Sequence, residues 1–185
     1  MFILYAVLIG LLAGSLLGGR PSGLGELTFR WPWAMVGGLL VQIVLFSDQV
    51  TAWVGSAGPP IYVASTAVVF LAVLANRKLL GMPIVAYGAA CNLAAIAANG
   101  GYMPAAPAAL AALHKVAPSV YSNSSVVTSP ALASLTDIFA LPTWMPFANV
   151  FSVGDVAIAT GVVFVIAAAM RRSAKGSATG RPVAA

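Results

Sequence analysis

Charged residues are scarce in this sequence. Only 7% of its 185 residues are Asp, Glu, Lys or Arg, whereas 61% are hydrophobic. A soluble domain carries roughly a quarter charged residues, so this chain has too few to cover a water-facing surface. Because its apolar runs are long enough to cross a bilayer, the composition predicts an all-α, polytopic membrane protein.

Side chains that commonly carry chemistry are also few. The chain has one His, one Cys and four acidic residues, and Cys91 alone cannot form an intramolecular disulfide. GxSxG, HExxH and phosphate-loop motifs are missing, and so is any usual set of metal ligands. We interpret His114 as an ordinary interfacial residue. We therefore expect no catalytic residues, no metal site and no cofactor.

Five apolar segments are present. Crossing ~30 Å of hydrocarbon takes ~20 residues, so the third and fourth segments, which are short, need their flanking residues. No base precedes the first run and Arg20 follows it, so we expect it to be kept as a helix and not cleaved as a signal peptide. The predicted transmembrane domain covers residues 1–172, with helices at about 1–18, 32–54, 60–79, 82–98 and 150–171.

The basic residues predict the orientation. Eight of the nine Lys and Arg residues lie in the first link, the third link and the C-terminal tail, and Lys115 alone lies in the fourth link. The positive-inside rule then places the N-terminus outside and the C-terminus in the cytoplasm. Tail residues 173–185 are expected to be disordered and attracted to anionic lipid. Bases confined to links do not form a nucleic-acid-binding stripe.

The outer segment 99–149 is too long for a plain connection. Residues 107–116 and 130–140 have the apolar spacing of two short amphipathic helices, the second with Ser129 as its N-cap. We expect the segment to form a cap over the bundle. An ordinary interfacial loop is the alternative.

Small residues recur every four positions in three of the predicted helices. Such stripes allow close helix packing within one chain, and contact between two copies is the alternative. The polar residues Gln42, Ser65, Thr66 and Asn92 lie at membrane depth and are expected to hydrogen-bond between helices. The stripes comprise Gly10, Gly14 and Gly18, then Ala86, Ala90, Ala94 and Ala98, then Ala157 and Gly161.

Asp155 is the ionisable residue of greatest interest. It lies where the fifth apolar run begins. A carboxylate at membrane depth suggests a ligand or proton site. As an N-cap it would instead accept backbone N–H bonds at the positive end of the helix dipole. The two interpretations are compatible.

Asn99, Gly100 and Gly101 close the fourth helix. Glycine after a helix end commonly adopts the left-handed conformation, which is a structural role. The functional alternative is that this turn faces the turn at Ser152 and Asp155. The candidate polar site at the outer leaflet then comprises Asn99, Gly100, Gly101, Asp137, Asn149, Ser152 and Asp155.

Several motifs resemble those of an uncharacterised bacterial family of multi-pass membrane proteins, catalogued as a domain of unknown function. The most specific are Asn-Gly-Gly-Tyr-Met-Pro at 99–104 and Asn-Val-Phe-Ser-Val-Gly-Asp at 149–155; further elements are Gly19-Arg20, Gln42 and Thr136 to Pro142. Thr136 stands where that pattern has Gly. The resemblance covers nearly the whole chain except the tail. It implies a bacterial inner-membrane protein and brings no activity.

Three functions are open. The favoured one is a structural or accessory membrane protein that acts through helix packing and its outer cap, with the bilayer and a second copy or another membrane protein as partners. The alternative is a transporter-like protein that binds a small solute or lipid at the outer-leaflet site. An intramembrane enzyme is disfavoured by the few candidate nucleophiles and bases.

Overall fold

A computed structural model of the chain describes residues 2–114, 124–125 and 127–179, and these are mostly helical. Its α-helices are α1 (Phe2–Leu16), α2 (Pro32–Leu45), α3 (Asp48–Val54), α4 (Gly58–Ala75), α5 (Met82–Ala98), α6 (Pro107–Ala112) and α7 (Val153–Thr179). Short 3-10 turns lie at Pro21–Leu24, Gly55–Ala57 and Ala133–Leu135. Two-residue strands are β1 (Met103–Pro104), β2 (Ser124–Ser125), β3 (Phe139–Ala140) and β4 (Val150–Phe151).

The five longest helices pack in the spatial order α1, α7, α5, α4, α2. The first and last helices of the chain are therefore neighbours. Helix α1 runs parallel to α7, since Gly10 faces Ile166 and Gly14 faces Met170. A Cβ on Gly14 would lie 2.5 Å from Met170 Sδ, so a larger residue there would require the buried Met170 side chain to move. Gly18, the third member of that stripe, has φ +74° and no neighbour within 4 Å.

Helices α5 and α7 are antiparallel and touch backbone to backbone. Gly81, the residue before α5, faces Gly161, and Gly88 of α5 faces Gly154, so the glycines of each segment are seven residues apart. A Cβ on Gly161 would lie 2.7 Å from the carbonyl oxygen of Gly81. This spacing repeats every two turns, which keeps both glycines on one face.

The alanine stripe of α5 follows a different path across the helix surface. Ala86 is buried, Ala90 is half-buried and Ala94 is exposed. The close contact with α7 is therefore made by the glycines, because a side chain at those positions would separate the two backbones.

Helices α2, α4 and α5 complete the row. Gln42 Nε2 donates a hydrogen bond of 3.3 Å to Thr66 Oγ1, which links α2 to α4 as expected. Ser65 instead donates to the Tyr62 carbonyl oxygen of its own helix. Buried side chains from α2, α4 and α5 meet at one end in the cluster of Leu45, Tyr62, Ala95, Ile96 and Met103. All neighbouring pairs except α1 and α7 are antiparallel.

Helix lengths differ from the sequence prediction. Among the described residues, two stretches are long and apolar enough to cross a membrane, Gln49–Ala75 and Val153–Arg172, and three shorter apolar helices accompany them. The predicted helix 32–54 is interrupted at Ser47, whose backbone is extended. Ser47 Oγ donates to the Val44 carbonyl oxygen, and its own carbonyl accepts from Val50 and Thr51, so this residue ends α2 and begins α3.

The prediction of a second amphipathic helix at 130–140 is wrong. Leu132 has φ +51°, a 3-10 turn follows, and β3 pairs antiparallel with β4. The backbone of Asp137 exchanges hydrogen bonds with Pro104 and Ala106 in place of helical partners. Non-local pairing has therefore overridden the helical spacing. The first predicted helix, 107–116, forms as the shorter α6, which ends at Ala112; Leu113 is its C-cap and His114 has φ +54°, while residues 115 and 116 lie outside the described residues.

Helix α7 is longer than predicted. It begins at Val153 and continues to Thr179, into the segment expected to be disordered. The remainder of that tail lies outside the described residues.

The glycine contacts give a first prediction. Gly88→Ala places a methyl group against the α7 backbone and should lower the free energy of unfolding by ~1–3 kcal/mol, as overpacking does. Gly37→Ala in α2 is the matched control, since no atom lies within 4 Å of a Cβ there. It should be neutral or stabilise by ~0.5–1 kcal/mol. Thermal unfolding in detergent, followed by circular dichroism, measures both. Equal midpoints for the two variants would contradict the packing.

Candidate polar site at the crossing of α5 and α7

Three side chains form a closed ring of hydrogen bonds between α5 and α7. Asn92 Nδ2 donates to Asp155 Oδ1 at 2.8 Å, and Ser152 Oγ donates to Asn92 Oδ1 at 2.8 Å. The backbone N–H of Asp155 donates to Ser152 Oγ at 3.0 Å, and the backbone N–H of Ser152 donates to Asp155 Oδ2 at 3.0 Å. The ring therefore joins α5 to the first turn of α7.

Two of these bonds make a reciprocal cap of α7. Ser152 immediately precedes the helix and accepts the N–H of Asp155, while the Asp155 carboxylate accepts the N–H of Ser152. This is the capping-box arrangement, with a carboxylate three residues after the N-cap. Asp155 is consequently not the N-cap that the sequence suggested, because the helix begins two residues earlier, at Val153. Its charge still lies in the favourable first turn.

Glycine makes room for this ring. A Cβ on Gly154 would lie 2.8 Å from Asn92 Cγ and closer still to Oδ1. Ser152 is completely buried and Asn92 and Asp155 are half-buried. Both carboxylate oxygens of Asp155 already accept hydrogen bonds within the chain. The geometry is that of a lock between two helices, since the same side chains cap one helix and fix its register against the other.

Asn99 makes a second polar lock, at the start of the cap. Its Nδ2 donates to the carbonyl oxygens of Ala95 and Ala131, at 2.8 and 2.9 Å, and its Oδ1 accepts the N–H of Ala131 at 2.9 Å. The side-chain amide thus pairs with a backbone amide 32 residues away, as a neighbouring strand would. This lock fastens the cap to the end of α5.

Asn76 repeats this arrangement at the other end of the molecule. It follows α4 as Asn99 follows α5, and it donates to the Ala72 and Arg30 carbonyl oxygens, each at 2.8 Å. Its Oδ1 accepts the N–H of Arg30, also at 2.8 Å. Asn76 is only 3% exposed. Asn76 was not predicted as a site residue from the sequence; an asparagine just after an apolar run was the available signal.

The other residues of the predicted polar site lie in turns and strand pairs. Gly101 has φ +87° and a Cβ there would lie 2.5 Å from Pro59 Cβ, so this turn needs glycine twice over. Gly100 has φ +69° and open space around it. Asp137 is buried. Its backbone N–H donates to the Pro104 carbonyl oxygen in β1, and its own carbonyl oxygen accepts the N–H of Ala106. The Asn149 carbonyl accepts the N–H of Leu141.

The predicted site is therefore divided. Ser152 and Asp155 come together, but their third partner is Asn92, which was expected only to bond between helices. Asn99 bonds to Ala131 instead. Asn92 and Asn99 are seven residues apart on α5, which separates the two locks by ~10 Å along the helix.

The described residues are mostly helical and include two stretches long and apolar enough to cross a membrane, which places the chain among helical proteins with a candidate membrane-spanning core. The chain belongs to a family of unknown function, DUF5317, whose model matches residues 26–167. The matched range contains both asparagine locks and the ring at Asp155. No curated protein and no solved structure matches the chain.

The ring gives a second prediction. Asp155→Ala removes both carboxylate acceptors and leaves the Asn92 amide without its partner, so it should cost more than the ~1 kcal/mol of a lost cap. In a double-mutant cycle with Asn92→Ala, the coupling should be ~0.5–3 kcal/mol. Chemical denaturation in detergent measures it. Thr160→Ala is the control, since that exposed hydroxyl bonds only to Val156 of its own helix. If the stability losses of the two single variants simply add in the double variant, the hydrogen-bonded ring is disproved.

The paired asparagine locks give a third prediction. Asn99→Asp has nearly the same shape but lacks the N–H donors, so hydrogen–deuterium exchange at and around Ala131 should accelerate. Asn76→Asp removes the same bonds at the opposite end and should accelerate exchange around Arg30 only. If Asn99→Asp leaves the protection of Ala131 unchanged, the lock does not hold the cap.

Proposed function

We propose that this protein is a five-pass membrane protein of structural or accessory type, resident in the bacterial inner membrane, whose outer face carries a rigidly fastened cap. The observation that carries the proposal is the internal use of its polar groups. Asn92, Asn99 and Asp155, the side chains best suited to bind a ligand, hold helices and cap together. Along the helices that the structure describes, the surface left for a partner is largely apolar, and the exposed bases lie at one end.

Apolar exposure supports a membrane location. Helix α1 presents Leu8, Leu12 and Leu16 at its surface with exposures of 62–79%. Helix α2, at the other end of the row, presents Leu40 and Ile43 in the same way. Monomeric soluble proteins rarely expose apolar patches of this extent. Hydrocarbon would cover these exposed apolar side chains on both edge helices.

The helix directions support five passes. Helices α1, α4 and α7 point one way, and α2 and α5 point the other, as successive membrane crossings require. Helix α2, with 14 residues, is only ~21 Å long. It therefore needs its flanking segments, including the tryptophans at its start, to reach both interfaces.

One feature favours lipid binding as the alternative function. Near the cap, an apolar groove of about 480 Å³ lies between α1 and α7 and includes Leu141 and Met145 of the cap. Another, of about 530 Å³, lies among α2, α3 and α4. Their size is that of ligand pockets, and an acyl chain matches their apolar lining. Isolation with stoichiometric lipid bound in these grooves would favour this function, whereas isolation with a protein partner would favour the accessory one.

Topology supplies the fourth prediction. In a Cys91→Ala background, Thr143→Cys in the cap should react with a membrane-impermeant maleimide in intact spheroplasts, and Gly25→Cys in the first link should not. Both positions are exposed, so both should react after permeabilisation, which is the control. The reverse pattern would overturn the orientation. Labelling of both before permeabilisation would overturn the odd number of membrane crossings between these two positions.

A further inference from the structure

Basic side chains gather at one end of the helix row, the end where α1 and α4 finish. Two groups of three stand there, each assembled by a backbone contact between a link and a helix. The Arg20 N–H donates to the Met170 carbonyl oxygen at 2.9 Å, which brings Arg20 beside Arg171 and Arg172. Asn76 binds both backbone groups of Arg30, which brings Arg30 beside Arg77 and Lys78.

The second group, Arg30, Arg77 and Lys78, is the more constrained. All three side chains are exposed, while Asn76 beneath them is buried. Arg77 Nη1 donates to the Leu74 carbonyl oxygen at 3.4 Å. A guanidinium has five N–H donors, so donors remain for an anion. Bases at the end of α4 are also favoured by its dipole, but that does not explain Arg30, which arrives from 46 residues away.

The surroundings of this group are those of a membrane interface. Trp31 and Trp33 follow Arg30 directly and are 63% and 84% exposed. Exposed indole rings prefer the depth of lipid headgroups. Beyond them along α2, apolar side chains such as Val36 and Leu40 are exposed. Cations, indoles and an apolar helix face thus follow one another in the order in which a phospholipid presents phosphate, glycerol and acyl chain.

We propose that Arg30, Arg77 and Lys78 bind the phosphate of an anionic phospholipid headgroup, with Asn76 as the positioning residue. The inference rests on the membrane-spanning function proposed above. Arg30 and Arg77 suit phosphate because a guanidinium offers two parallel donors to its oxygens. The link that carries Arg30 also carries one acidic residue, Glu26, whose side chain is exposed. The adjoining apolar surface identifies a lipid as the source of the phosphate.

The test uses the full chain in nanodiscs that contain phosphatidylglycerol and phosphatidylcholine. Native mass spectrometry then compares how much of each lipid stays bound. Arg77→Gln should lower the preference for phosphatidylglycerol roughly tenfold, because it removes hydrogen bonds to a charged group worth ~1.5 kcal/mol. Arg171→Gln is the matched control, because it removes the same charge at the same end and should leave the preference nearly unchanged. Equal loss in both variants would overturn the site in favour of a diffuse charge effect.

Asn76→Asp tests whether the placement of the three bases matters, apart from their total charge. It should lower the preference as well, although every base is kept; Asn99→Asp adds the same negative charge at the far end and should not. Because Asn76→Asp also brings a negative charge close to the bases, Asn76→Ala completes the set and should give the same loss. If soluble glycerol phosphate displaces the bound lipid at concentrations comparable to those of the lipid, a free anion is the ligand and the lipid assignment fails.

A separate measurement keeps the two proposals apart. Proteoliposomes are floated through a density gradient after an alkaline wash. Protein that does not float overturns the membrane-spanning function. Protein that floats but shows no preference for phosphatidylglycerol overturns the headgroup site alone.

Discussion

The direct backbone contact between α5 and α7 is the constraint on which the rest of the structure depends. Four glycines bring the helices together, and the ring of Asn92, Ser152 and Asp155 closes over the same crossing. The glycine contact and the hydrogen-bonded ring depend on each other. Without Gly154 the Asn92 amide has no space, and without the ring nothing directional fixes one smooth glycine face against the other. Helix α7 is thereby fixed against α5, with α1 packed on its other side.

The position of the cap follows from this crossing. The chain leaves α5 at Asn99 and returns at Ser152, so both ends of the cap are held by side chains that also bond to α5. Between them, strand pairs and the buried cluster around Leu110 and Val150 connect the cap internally. Tyr5 of α1 donates to the Pro146 carbonyl oxygen, which ties the cap to the edge of the row as well. The described part of the cap is therefore held to the helix row at three places.

The sequence predicts the parts of this arrangement that depend on local pattern. Apolar runs locate the long helices. The predicted start of α7 is misplaced, because the sequence suggests Asp155 as the N-cap although Ser152, three residues earlier, is the residue that caps the helix. Residues 130–140 show where local pattern fails, because a helical spacing there is outweighed by pairing with segments far away in the chain. The partner of Asp155 could not be predicted for the same reason. An isolated Asn92 in an apolar run carries no sign of which helix it will face.

The asparagines also explain how so apolar a chain can specify one structure. Apolar side chains gain little by choosing one neighbour over another in hydrocarbon, so directional bonds must select the register. The described locks occur where a helix must meet a particular loop or helix: Asn76 at Arg30, Asn99 at Ala131 and Asn92 at Asp155. Each amide supplies both donor and acceptor, so a slip of one residue would leave both unpaired. Polar groups committed to register are poorly placed to bind a ligand, and any partner must then be recognised by the surfaces that the locks hold in place.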